Sequence, residues 1–176
     1  MKIAIIGKMC SGKTTSANLI KQMDNRYEIF SFGKKVKEVA VDLFQMQGKD
    51  RTLLTSIGTK MREIDPDIWV NYVLNQAKYK KFCIIDDLRY QNEYDACLKH
   101  DFIFIKLNIN PTIQKERIIK LYPNNYQDHL NNLDHISEKS EDLKCSKIHL
   151  EINSDDDINK IKHQLYLLLN KHGHLS

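Results

Sequence analysis

Short apolar runs alternate along the chain with longer segments in which apolar residues recur every three or four positions. Apolar runs of this length predict buried strands, and the three-to-four spacing predicts amphipathic helices. The predicted strands span residues 2–6, 27–32, 81–87, 102–107 and 147–152. The predicted helices span residues 13–24, 34–47, 51–64, 67–79, 90–99, 111–121 and 155–171. Since helices separate the strands, the pattern indicates a parallel sheet that carries helices on both faces.

One segment interrupts this alternation. Residues 122–135 are rich in Asn, Asp and His, and they show no hydrophobic period. We expect this stretch to be exposed and mobile, as polar connections usually are. The chain of 176 residues has the length of one ordinary domain, so we expect a single domain over residues 1–176.

The charge balance excludes one class of function. The chain holds 27 Lys and Arg against 23 Asp and Glu, a net charge of +4. A non-specific nucleic-acid binder is usually far more basic, so small anionic molecules fit better as partners.

No apolar run approaches the roughly 18 residues of a membrane span, and residues 1–14 lack the features of a secretory signal. The four cysteines form no C-x-x-C pair, which favours reduced thiols in a cytoplasmic protein.

Residues 7–14 (GKMCSGKT), which we call the phosphate loop, match the pattern G-x-x-x-x-G-K-[ST]. A strand precedes this stretch and a helix follows it, so its backbone N–H groups and the positive helix end can hold phosphate oxygens. Lys13 is predicted to reach the β- and γ-phosphates of ATP, and the Thr14 hydroxyl to ligate Mg²⁺. The predicted ATP-binding residues are Gly7, Lys8, Ser11, Gly12, Lys13, Thr14 and Thr15.

Two carboxylates follow the third predicted strand. Asp86 and Asp87 stand at its carboxyl end, and Arg89 comes two residues later. Ligands of parallel sheets bind at that edge, so we assign Asp87 to Mg²⁺ and Arg89 to phosphate. The alternative is that the two aspartates are turn residues and Arg89 is a surface charge, and for Asp86 the two interpretations weigh equally.

The residues after this strand resemble a known family. Residues 87–93 (DLRYQNE) are similar to the D-x-R-[FY]-x-N-E pattern of the deoxynucleoside monophosphate kinases of phages and large viruses. Four other stretches resemble patterns of this family in the same order. Residues 30–38 resemble its F-A-D-P-L-K-E pattern, with Gly33 and Lys34 in place of Asp-Pro. The others are residues 51–62 (family pattern R-x-L-L-x-x-x-G-T-x-x-R), 65–70 (P-D-x-W-V) and 135–138 (H-x-S-E). This resemblance, over about residues 1–165, implies a three-layer α/β/α P-loop kinase fold with a five-stranded parallel sheet in the order 2-3-1-4-5.

The resemblance also implies a reaction. ATP would phosphorylate a deoxynucleoside 5′-monophosphate (dNMP), and since the acceptor phosphate is already an anion, catalysis needs positioning and charge neutralisation more than a base. The implied catalytic residues are Lys13, Arg62, Asp87, Arg89 and Arg117. The implied acceptor-binding residues are Lys37, Arg51, Arg62, Trp69, Arg89, Asn92 and Glu93.

Several of these residues have a second interpretation. Trp69 lies among apolar residues at helical spacing, so it can be a core residue as well as a wall for the base. Arg62 can be a solvated helix charge, and Glu93 can pair with Arg89 or cap a helix. Glu138 can simply favour a helix start.

A kinase must exclude water from the transferring phosphoryl group, and mobile lids usually do this. We expect the lid at residues 110–135, with Arg117 as its cation and an exposed basic helix face as the alternative. His129 and His135 lack companion ligands at useful spacing, so we expect surface or loop histidines.

Two rival functions remain at this point. One is a kinase of another small phosphorylated acceptor, since the animal phosphomevalonate kinases have a related pattern. The other is a non-catalytic nucleotide-binding module. Monophosphate kinases can also form homodimers through their helices, and the sequence leaves that open.

Overall fold

The chain forms a five-stranded sheet in a computed structural model that describes residues 1–135, 138 and 142–172. The strands are β1 (Lys2–Gly7), β2 (Glu28–Phe30), β3 (Cys83–Leu88), β4 (Ile103–Asn108) and β5 (Leu150–Asn153). Every pairing is parallel, and the order across the sheet is β2-β3-β1-β4-β5. The predicted parallel sheet and its order are confirmed.

Eight helices fill the connections within the described residues. They are α1 (Lys13–Met23), α2 (Phe32–Phe44), α3 (Arg51–Ile64), α4 (Ile68–Ala77), α5 (Gln91–Lys99), α6 (Pro111–Leu121), α7 (Tyr126–Asn131) and α8 (Ile158–Lys171). Across this described part of the chain, none of these helices is sufficiently long and apolar to cross a membrane. All four cysteines are free thiols, as the absence of C-x-x-C pairs predicts.

The side chains of β1 separate the two hydrophobic cores. Ile3 and Ile5 point to the layer of α1 and α8, whereas Ala4 and Ile6 point to the layer of α2, α3, α4 and α5. Successive side chains of a strand face opposite sides of its sheet, so a strand buried on both faces must be apolar throughout. The result is the three-layer α/β/α fold that the alternation predicts.

The carboxyl ends of all five strands meet at one edge of the sheet, because the strands are parallel. At this edge β3 carries an extra residue relative to β1: Ala4 pairs with Ile85, but Ile6 pairs with Leu88. A bulge of this kind re-aims the side chains beside it. The extra residue falls at Asp86 and Asp87, and these neighbouring carboxylates consequently reach different elements.

The stretch at 122–135 differs from the sequence prediction. It contains α7, and Asp128 on this helix accepts hydrogen bonds from the Arg51 N–H (2.9 Å) and the Thr52 hydroxyl (2.6 Å) at the start of α3. His129 is fully buried and stacks on the Tyr122 ring with centroids 4.0 Å apart. The expected surface position is therefore wrong for His129, and part of the predicted loop is helical, although most residues of the segment are exposed or half-buried as expected. Asp128 makes its hydrogen bonds with another helix start, which holds α7 against α3.

Candidate active site

The phosphate loop connects the end of β1 to the start of α1. Gly12 precedes α1 in a left-handed conformation (φ 87°), which glycine adopts without strain. Gly7 allows close packing, since a Cβ there would lie 2.5 Å from Ser11 Oγ and 3.0 Å from the Leu107 carbonyl oxygen. The two glycines of the motif are therefore needed for different reasons: Gly12 for its backbone conformation and Gly7 for close packing.

Lys13 is held inside this loop. Its Nζ donates to the carbonyl oxygens of Gly7 (2.5 Å) and Lys8 (2.6 Å). Burial, with a smaller contribution from Arg89, lowers the pKa of Lys13 to about 7. A buried ammonium with no carboxylate among its described hydrogen-bond partners is suited to an anionic ligand, because such a ligand would restore its charge.

A cavity of about 870 Å³ opens above the loop at the carboxyl edge of the sheet. Five of the predicted ATP-binding residues line it: Ser11, Gly12, Lys13, Thr14 and Thr15. Gly7 and Lys8 lie outside the lining and contribute through their carbonyl oxygens, which hold Lys13. The volume is within the usual range for small-molecule sites.

Asp86 and Asp87 have different partners. Asp86 Oδ2 accepts a hydrogen bond from the Thr14 hydroxyl at 2.8 Å. Burial, and then the neighbouring Asp87 charge, raise the pKa of Asp86. Asp86, whose role the sequence left open, is therefore the carboxylate that faces the phosphate loop.

Asp87 instead caps the start of α2. Its Oδ1 accepts the Phe32 N–H (2.8 Å), and its Oδ2 accepts the Gly33 N–H (2.8 Å) and the Ser31 hydroxyl (2.7 Å). The prediction that Asp87 pairs with Thr14 at a metal site needs correction, because its oxygens serve the helix start. The adjacent-residue pattern alone gave no indication of which carboxylate faces which element.

Four cations from other segments line the same cavity as the phosphate loop. They are Lys37 on α2, Arg51 and Arg62 on α3, and Arg89 after β3. All four were predicted from the sequence as acceptor-binding residues. The structure brings them together in this cavity.

Glu138 joins two of these cations to the phosphate loop. Its Oε1 accepts hydrogen bonds from the guanidinium groups of both Arg51 and Arg89. Its Oε2 accepts the Met9 N–H at 2.6 Å. Glu138 is buried, so its interpretation as a mere helix-start residue is wrong. The late H-x-S-E resemblance was the available signal for it.

Arg62 and Glu93 form a second buried pair. The Arg62 guanidinium donates to Glu93 Oε1 (3.3 Å) and to the Gly58 carbonyl (3.1 Å), and it stacks on the Tyr90 ring at 3.9 Å. Glu93 Oε2 accepts the N–H groups of Arg89 (2.8 Å) and Tyr90 (3.0 Å), so it also caps α5. Burial raises the pKa of Glu93 to about 7.

Two predicted acceptor residues lie outside the cavity lining. Trp69 is buried in the core between α3 and α4, and its Nε1 donates to the Gly58 carbonyl at 3.3 Å. Asn92 donates to the Pro66 carbonyl (2.9 Å) and to Asp67 Oδ1 (2.8 Å). Neither side chain faces the cavity, so both predictions of direct substrate contact are corrected. Trp69 packs against α3, which carries Arg62, and Asn92 joins the start of α5, which follows Arg89, to the segment before α4.

Two further cations of the cavity come from α6 and from the loop before α3. Arg117, predicted as the lid cation, donates to the carbonyls of Cys10 (3.2 Å) and Ser154 (2.7 Å), so it lies against the phosphate loop. Lys49 lines the cavity as well and donates to the Tyr122 hydroxyl at 2.8 Å. Sequence analysis missed Lys49, because a lysine between two helices has no distinguishing pattern.

Comparisons with known proteins support the fold. No protein-family model and no curated protein matches the chain. Among solved structures, a shikimate kinase from Aquifex aeolicus superposes with a TM-score of 0.59 at 19% identity, over 98% of each chain. A deoxyadenosine kinase from M. mycoides, solved with dCMP and dCDP, gives 0.57 at 20% identity over 98% of this chain and 99% of that one. A gluconokinase from Sinorhizobium meliloti gives 0.60 at 11% identity, over 97% and 92%. At these identities the likeness establishes the shared P-loop kinase fold.

Proposed function

We propose that this protein transfers the γ-phosphoryl group of ATP to the phosphate of a deoxynucleoside 5′-monophosphate, giving the diphosphate and ADP. The observation that carries the proposal is a set of four cations, Lys37, Arg51, Arg62 and Arg89, that lines the same cavity as the phosphate loop but comes from other segments. The loop itself serves a donor triphosphate, so four further cations favour a second anionic molecule.

The charge of the cavity supports an acceptor that carries phosphate. Its described lining holds eight cationic side chains and four carboxylates. The cations are Lys13, Lys34, Lys37, Lys49, Arg51, Arg62, Arg89 and Arg117, and the carboxylates are Asp86, Asp87, Glu93 and Asp156. A phosphate monoester offsets more of this positive charge than a neutral acceptor such as a sugar hydroxyl does.

The carboxylates support the same acceptor class. A hydroxyl acceptor needs a general base within hydrogen-bond reach. Here Asp86 binds Thr14, Asp87 binds the start of α2, Glu93 caps α5, and Asp156 pairs with Lys160. A phosphate acceptor is already nucleophilic as an anion, so it needs none of them as a base.

The residues at the loop fit Mg²⁺. The Thr14 hydroxyl and the buried Asp86 carboxylate lie 2.8 Å apart, and hard oxygen ligands of this kind suit the ion. Burial, and then the Asp87 charge, raise the pKa of Asp86 by disfavouring its ionised form, and a bound cation would favour that form. When bound there with ATP, Mg²⁺ would neutralise charge on the phosphates.

Side chains of the protein itself orient the two phosphate-bearing molecules. Lys13 orients the β- and γ-phosphates, and Arg89 and Arg51 orient the acceptor phosphate so that the two molecules meet end to end. Arg62, fixed by Glu93 and Tyr90, adds positive charge beside them. The resemblance to viral and phage dNMP kinases favours a deoxynucleotide as acceptor. The similar deoxyadenosine kinase, solved with dCMP and dCDP as products, supports only that this fold can hold a deoxynucleotide.

A coupled assay of ADP release tests the proposal. The acceptors are dTMP, dGMP, dCMP and dAMP, their ribonucleotide counterparts, phosphomevalonate, shikimate and gluconate. Turnover should occur with at least one dNMP and should fall about 10²-fold or more in Lys13→Ala and Arg89→Ala. Turnover with phosphomevalonate alone would contradict the nucleotide acceptor and favour a kinase of another phosphorylated molecule. ATP binding with no turnover on any acceptor would leave only a nucleotide-binding module.

A further inference from the structure

We propose that Glu138 is a positioning residue that couples the two halves of the cavity, so that ATP and the acceptor monophosphate bind cooperatively. The inference rests on the proposed function, since it assumes two phosphate-bearing ligands. Glu138 itself touches neither ligand in this account and acts through the loop and two arginines.

The geometry links three segments through one carboxylate. Its Oε2 accepts the Met9 N–H of the phosphate loop at 2.6 Å. Its Oε1 accepts hydrogen bonds from Arg51 on α3 and Arg89 after β3. A shift of the loop on binding ATP therefore moves the anion that aligns the acceptor cations, and the reverse holds when an acceptor binds.

The electrostatics make this link strong. Glu138 is 3% exposed, yet Arg89 and Arg51 keep its pKa below the usual value for Glu despite its burial. Its charge holds two guanidinium groups side by side that otherwise repel each other. A guanidinium has five N–H donors in a planar fork, so it can bind Glu138 and an acceptor phosphate at the same time.

The opposite arrangement is also testable. A carboxylate that occupies the guanidinium groups could instead compete with the acceptor phosphate. In that case its removal would tighten acceptor binding. Positioning requires the reverse, because the two arginines lose their common anchor to the loop.

The experiment measures binding of an unreactive ATP analogue by titration calorimetry, with and without each of dTMP, dGMP, dCMP and dAMP. In the wild-type protein we expect at least one dNMP to lower the Kd of the analogue about tenfold, within the usual range for coupled sites. In Glu138→Gln this coupling, the ratio of the Kd of the analogue without and with the dNMP, should fall to within about twofold of none. Glu63→Gln is the control, because it removes an exposed α3 carboxylate paired only with Lys60 among the described residues.

Glu138→Asp guards against a variant that fails to fold. It keeps the charge but is one methylene shorter, so it should hold the arginines or the loop poorly and show intermediate coupling. Wild-type coupling that persists in both variants, an absence of coupling in the wild type, or tighter dNMP binding in Glu138→Gln would each overturn the inference. If the wild type turns over a dNMP in any of these cases, the proposed function stands without the coupling. If it turns over none, both fall.

Discussion

The neighbouring residues Asp86 and Asp87 should respond to the same substitution in opposite ways. Asp86 faces the Thr14 hydroxyl, and Asp87 receives three hydrogen bonds from the start of α2. Asparagine has the size of aspartate and keeps one acceptor oxygen, but it loses the charge. We therefore compare Asp86→Asn with Asp87→Asn, a matched pair one residue apart.

Asp87→Asn should act mainly on stability. The asparagine has one acceptor oxygen where the aspartate has two. At least one donor at the start of α2 therefore faces an NH₂ group and loses its hydrogen bond, at a cost of about 1–3 kcal/mol. Loss of the negative charge at the N-terminus of α2 adds about 0.3–1 kcal/mol. The sum, about 1–4 kcal/mol, corresponds to a Tm lowered by roughly 3–16 °C for a chain of this size.

Asp86→Asn should act mainly on catalysis. Burial and the Asp87 charge disfavour its ionised form, so removal of the charge should leave the Tm within about 2 °C of wild type or raise it slightly. An asparagine oxygen can still accept from Thr14. The weaker ligand for Mg²⁺ should lower kcat about 10²-fold or more.

Thermal unfolding of both variants, paired with kcat measured over a range of Mg²⁺ concentrations, checks this division. The test is made well below the Tm of the less stable variant, so that unfolding does not lower its activity. The reasoning is refuted if Asp86→Asn is the strongly destabilised protein, or if Asp87→Asn retains the wild-type Tm but needs more Mg²⁺. Either result would return the metal assignment to Asp87.

Three further predictions concern other parts of the cavity. Lys49→Ala should lower kcat about 10- to 100-fold without changing the Tm by more than about 2 °C, measured against Lys60→Ala, because Lys49 adds a cation beside Arg51 and Arg89. Between about pH 4.5 and 7 the unfolding free energy of wild type relative to Glu93→Gln should fall by about 3 kcal/mol, because burial raises the pKa of Glu93 and folding disfavours its ionised form. Urea unfolding at pH 5 and pH 8 measures this change. A difference between the two proteins that does not depend on pH contradicts the prediction. Trp69→Phe should cost about 1–3 kcal/mol in unfolding free energy and leave the KM for the best dNMP within twofold, and a large KM change would restore Trp69 as a base contact.

The fold could be predicted because its signals are local. Each strand is a short apolar run, and polar residues or prolines mark the ends of helices. At the start of α6, for example, the Asn110 side chain accepts the Thr112 N–H (2.8 Å). The phosphate loop is equally local, since one contiguous stretch supplies its glycines, its lysine and its hydroxyl. Helix α7 was missed because its polar residues make their contacts with α3, and no local pattern reports a partner elsewhere in the chain.

The errors in the candidate site have the same physical origin. Trp69 and Asn92 sit at positions where a family pattern is strong, but that strength reflects support of α3 and α5 as readily as substrate contact. Asp86 and Asp87 could not be distinguished because a bulge in β3 sets their directions. Lys49 and Glu138 could not be ranked above other charged residues until tertiary packing placed them beside Arg51.

The two halves of the cavity therefore differ in how they specify chemistry. The phosphate loop is encoded in one stretch, whereas the cations that we propose bind the acceptor come from α2, α3 and the segment after β3. Solved proteins that share this fold are named for shikimate, gluconate and deoxyadenosine, so the fold by itself leaves the acceptor open. What favours a phosphate acceptor here is the set Lys37, Arg51, Arg62 and Arg89, whose three arginines pair with the buried carboxylates of Glu93 and Glu138. A change of acceptor class would have to alter that set while leaving residues 7–14 intact.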